Sequence, residues 1–112
     1  MTDITIKPAA GTWVIRAGGA VLAETNAAIE LLEEDLAPVI YFPRGDVAML
    51  FFSETDTKTT CPFKGEASYF AIHTKSVVID DTAWSYEAPI DDMSAIAGYL
   101  AFDTSKVAVE QL

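Results

Sequence analysis

Two of the side chains that most often do chemistry are nearly absent: Cys61 is the only cysteine and His73 the only histidine in 112 residues. A single cysteine excludes an intrachain disulfide. A zinc site would have to combine both residues with carboxylates, an uncommon ligand set, so no metal is expected. Cations are scarce as well, with seven Lys and Arg against 17 Asp and Glu and a net charge of −10. That field repels phosphate backbones and anionic headgroups, so neither a nucleic-acid polymer nor a membrane is an expected partner. No apolar run approaches the roughly 20 residues that span a bilayer. The start, Met1-Thr2-Asp3-Ile4, lacks the basic-then-apolar order of a secretory leader. The expectation is a soluble cytoplasmic protein folded as a single domain over residues 1–112, with its acidity serving solubility.

Short runs of strand-forming residues fill the chain. Ile4-Thr5-Ile6, Trp13 to Ala17 and Ala20 to Glu24 are strand-like, and Gly18-Gly19 between the last two is a two-residue hairpin signal. Asn26 could cap a short helix over Ala27 to Asp35, where Ile29, Leu32 and Leu36 fall at helical spacing and Glu30, Glu33 and Glu34 form a wet side. A bent, strand-like connection competes with that helix. Val39 to Phe42 is a strand that Pro43 places at an edge or an end. Ser53 to Thr60 is expected as a polar loop, Glu66 to His73 as a strand, and Ser76 to Asp80 and Thr82 to Glu87 as two more around an Asp80-Asp81 turn. Asp91 to Ser94 starts a short helix, and Tyr99 to Phe102 and Val107 to Val109 close the chain. Strands joined by short turns favour antiparallel pairing, so the class is mainly β.

Thr60-Cys61-Pro62-Phe63-Lys64-Gly65 gathers a thiol, a cation and two backbone restrictors in one shaped turn. It follows Tyr41-Phe42-Pro43-Arg44-Gly45-Asp46-Val47 and precedes Ala67-Ser68-Tyr69, Ala83-Trp84-Ser85-Tyr86, Pro89 and Ala101-Phe102. In this order the segments resemble the bacterial family catalogued as domain of unknown function four-two-seven, also filed under a nucleotidyltransferase label. The resemblance runs from about Trp13 to Val109. It implies a β-tent: two antiparallel sheets of about four short strands, joined at one end and splayed, with one or two short helices and a cleft between the walls. Residue by residue, it implies a ligand site of Tyr41, Arg44, Asp46, Thr60, Cys61, Lys64, Tyr69, Trp84 and Tyr86. Gly45 stands where the family commonly has an acidic residue, so no carboxylate role carries over there. Nucleotidyl transfer is not inferred, because the sequence has neither a glycine-rich phosphate cradle nor paired metal-binding carboxylates.

Each candidate has a functional reading and a structural one. Arg44 and Lys64 either converge on an anion or pair with neighbouring carboxylates, Asp46 for Arg44. Asp46 is a catalytic acid or a cap for the turn that follows it. Cys61 is a nucleophile with His73 as base, or a buried anchor of its turn. The four aromatics are a stacking wall or ordinary core. The leading expectation is a module binding a small, anionic, planar, nucleotide-like ligand between the sheets, with no cofactor specified by any motif. An enzyme working through Cys61 or Asp46 in the same cleft is one rival. A homo-oligomer or protein-interaction module built on open sheet edges is the other.

Overall fold

The computed structural model describes residues 3–112; Met1 and Thr2, which belong to the leader reading, lie outside the described residues. Among the described residues, ten strands form three antiparallel sheets, which makes the chain mainly β as expected, with short 3₁₀ turns as its helical content. The first sheet joins β1 (Ile4–Pro8), β4 (Ile29–Glu33) and β5 (Val39–Tyr41) in the order β1-β4-β5. The second joins β2 (Trp13–Ala17), β3 (Ala20–Thr25) and β10 (Ala108–Gln111) in the order β10-β2-β3. The third runs β6-β7-β8-β9, formed by β6 (Phe52–Cys61), β7 (Gly65–His73), β8 (Val78–Ser85) and β9 (Ala101–Phe102).

Three sheets replace the expected two, and the segment 27–35 accounts for the difference. It is not a helix: Ile29 to Glu33 pairs with β1 on one side and β5 on the other. Alternation wins over helical spacing because Leu31 is fully buried while its chain neighbours Glu30 and Leu32 are only half-buried, and Leu31 alone of the three joins the core. Asn26 caps nothing here; its side chain meets the Thr12 hydroxyl. The first and third sheets are nonetheless tied together. Phe42, just past β5, exchanges two backbone hydrogen bonds with Leu100, just before β9, at 2.8 and 2.9 Å.

Ser53 to Thr60 is also strand, not loop. Its threonines are β-branched and suit a pleated backbone, but β6 is an edge strand whose residues are mostly exposed, so no apolar alternation marks it. The Asp80-Asp81 pair does not end a strand: β8 continues through Asp81, which takes a positive φ of 49° beside a register shift.

The third sheet is the shared wall of the molecule. Phe70, Ile72, Ala83 and Phe102 point from one face into a core with Ile15, Leu22 and Ala23 of the second sheet. Ala67, Tyr69, Trp84 and Ala101 point from the other toward Leu31 and Tyr41 of the first sheet. Period-two alternation along β7, β8 and β9 makes this division unavoidable. It decides which candidate residues can meet.

Candidate functional site

A cleft of about 360 Å³ lies between the first sheet and the second of these faces. Leu31 and Glu33 of β4 and Val39 and Tyr41 of β5 line one side. Tyr69 of β7, Trp84 of β8 and Tyr86 just beyond it line the other, with Lys64 entering from the β6–β7 turn. Tyr69 and Trp84 are direct cross-strand partners, their rings 6.4 Å apart and tilted by 38°. Both are half-buried, whereas Tyr41 and Tyr86 are buried, so the first pair offers ring surface and the second pair closes the floor.

The Cys61–Gly65 turn aims Lys64. The Lys64 N–H donates to the Cys61 carbonyl at 3.2 Å, and the Ile90 N–H donates to the Lys64 carbonyl at 3.0 Å, clamping the turn to the segment after β8. Gly65 sits at φ 119°, a region side chains rarely enter. The Lys64 ammonium then reaches Glu33 at 2.8 Å and the Cys61 sulfur at 3.5 Å. Burial lowers the lysine pKa, but the Glu33 hydrogen bond and the facing Cys61, Glu33 and Tyr86 more than reverse it, leaving it above the ordinary value.

Burial pushes the Tyr41 phenol well up, partly offset by the Trp84 indole, and burial raises Tyr86 despite the opposing Lys64. Both are neutral donors at neutral pH. At the mouth stand Asp81 and Asp103. Asp81 accepts hydrogen bonds from the Thr55 and Thr57 hydroxyls at 2.6 and 2.7 Å, which hold it below the usual carboxylate range. Asp103 is held low by the hydroxyl and backbone N–H of Ser105, at 2.6 and 2.9 Å.

Tyr41, Lys64, Tyr69, Trp84 and Tyr86 therefore converge, and Cys61 packs against them through Lys64. Arg44 and Asp46 do not join them. Arg44 lies on the opposite face of the third sheet, 5.7 Å over the Phe70 ring, and donates to the Gly98 carbonyl, the Ser85 hydroxyl and Glu87. Its carboxylate partner is Glu87, not Asp46. Asp46 instead accepts from the Thr25 hydroxyl at 2.7 Å in a separate hollow with Glu24 and Asn26, and no side chain caps the 3₁₀ turn after it. Thr60 is exposed on β6. Cys61 faces Gly65 at one end of the β6–β7 ladder and His73 faces Val78 at the far end of β7. Eight residues of strand, about 26 Å, separate those ends, so the pair cannot act as nucleophile and base.

Sequence reasoning missed Glu33, Asp81 and Asp103. Helical spacing puts Glu33 on the wet side of a helix, and the Asp80-Asp81 pair reads as a turn. The signal for Glu33 was the alternation Ile29, Leu31, Glu33, which places it on the face of the buried leucine.

An aromatic cleft between two antiparallel sheets, with an internal ion pair at one end, defines a small mainly β domain. The chain belongs to the family described as domain of unknown function (DUF427), filed under the label NTP_transf_9, whose model matches residues 5–111. No curated protein matches the sequence significantly.

Proposed function

We propose that the protein is a binding module for a small planar molecule held in this cleft. The observation that carries the reading is the convergence of Tyr41 from β5, Tyr69 from β7, and Trp84 and Tyr86 from β8 and its end around a cavity of about 360 Å³, within the range of small-molecule sites. Tyr69 and Trp84 supply ring faces for stacking, and the phenols at the floor supply hydrogen bonds.

The cleft's own charges support a reading of the ligand's charge. The expectation of an anion rested on Arg44 and Lys64, but Arg44 is on the other face of the sheet and Lys64 is matched by Glu33. Asp81 and Asp103 stand at the mouth, both favoured in the ionised form, with the single cation Lys106 near the two of them. A neutral or cationic planar head group fits that field, and aromatic faces add attraction for a cation.

The test is a thermal-shift and Trp84-emission screen with planar compounds matched in size: nicotinamide, N-methylpyridinium and nucleobases against benzoate. A ligand at about a hundred times its dissociation constant adds roughly 2.7 kcal/mol to stability. Neutral or cationic rings should shift the melting point and quench Trp84, with the effect lost in Trp84→Leu and Tyr69→Leu. A blank across the panel, or a hit that survives both substitutions, would remove the reading.

A further inference from the structure

A second cavity, about 320 Å³, adjoins the first and shares Ala37, Val39, Trp84 and Asp103 with it. Its remaining wall is almost wholly aliphatic or aromatic: Pro38, Ile40, Phe102 and Val109, with Thr104 at the lip. Among the described residues, no charged side chain other than the shared Asp103 lines it. The two hollows differ in chemistry across a single ridge. On one side of Trp84 lie phenols, carboxylates and Lys64; on the other lie hydrocarbon surfaces contributed by β5, β9 and β10.

Resting on the binding reading above, we propose that the site is bipartite: the aromatic cleft takes a planar polar head, and the adjoining cavity takes an apolar extension of the same molecule. The ligand class is therefore amphipathic, a neutral or cationic ring bearing an aliphatic chain that crosses the Val39–Trp84 ridge. Trp84 lines both cavities and so serves both halves. Three sheets are needed to build this arrangement, because β5 comes from the first, Trp84 and Phe102 from the third, and Val109 from the second. Head recognition needs only two of them.

The experiment measures affinities of N-methyl-, N-butyl- and N-hexylpyridinium by Trp84 emission and calorimetry. Each methylene that leaves water should tighten binding about three- to fourfold, so the butyl compound should bind at least tenfold tighter than the methyl one. That gain should vanish in Thr104→Tyr and Val109→Phe, which fill the second cavity, while N-methylpyridinium binds them as it binds the parent. Thr104 is exposed on a turn, so its substitution tests the cavity even where the change at half-buried Val109 disturbs folding. Methyl and butyl compounds of equal affinity would overturn the bipartite site and leave the head-binding reading standing. An undiminished gain in both variants would place the chain elsewhere and overturn it too. Absence of binding by every compound of the series would remove both readings together.

Discussion

Lys64 and Glu33, thirty-one positions apart, form a 2.8 Å ion pair with only 11% and 16% of their side chains exposed. The pair crosses from the β6–β7 turn to the end of β4, so it locks the two walls of the cleft at one end. Removing one partner strands the other charge against apolar neighbours. Lys64→Met and Glu33→Leu should each destabilise by about 3 kcal/mol, while the double variant should lose much less. Urea unfolding of the four proteins measures the coupling. Additive losses would mean that the two charges are solvated independently.

Alkaline pH should loosen the same region. Lys64, Tyr41 and Tyr86 all have folded-state pKa values raised above their ordinary values. A raised pKa means that the folded state holds its proton more tightly than the unfolded chain does. The stability this confers is complete below the unfolded values near 10 and is lost as pH climbs through the folded ones. Melting temperature should therefore be flat toward neutrality from above and fall beyond about pH 10. Tyr41→Phe keeps the buried ring and removes the largest burial-driven contribution, so its alkaline decline should be shallower. An identical pH profile would show that Tyr41 does not titrate with unfolding.

Gly65 is the residue that lets the turn present Lys64 at all. At φ 119°, a methyl group there would also lie 3.3 Å from the Pro89 Cα, a backbone atom with little room to retreat. Gly65→Ala should cost about 1–3 kcal/mol and shift Lys64 away from Glu33. Denaturant midpoints check the cost, and a Glu33→Leu background checks the mechanism, since the substitution should hurt less once the ion pair is gone.

These residues also show what the linear sequence conveys about the molecule. The Cys61–Gly65 turn was legible because proline, glycine and their spacing constrain the backbone locally. Strand β7 was legible because its two faces alternate. The first sheet was hidden because Ile29, Leu32 and Leu36 fit helical spacing while Ile29 and Leu31 fit alternation, and only pairing with β1 and β5 decides between them. Strand β6 was hidden because an edge strand exposed on both sides carries no apolar rhythm. Within the site, the aromatics were identified by type and the turn cation by position. Arg44 falls in with them in the sequence because sequence order does not say which side of a sheet a residue reaches.

That last point yields a direct test. Arg44 stacks over Phe70 and binds Glu87, Ser85 and the Gly98 carbonyl, all away from Trp84, which projects from the other face of β8. Its guanidinium is partly exposed, so the ion pair with Glu87 contributes little by itself, and the carbonyl bond and the ring contact contribute most. Arg44→Ala should lower stability by about 1–2 kcal/mol and leave the affinity of a cleft ligand within twofold of the parent. Trp84→Leu should reverse that pattern, abolishing binding at a smaller cost in stability because its ring is only half-buried. Calorimetric titration of both variants, alongside their melting curves, separates the two faces. If Arg44→Ala removed binding while the fold stayed intact, the ligand would have to be sought on the Phe70 side of the sheet, with an anion as the natural guest.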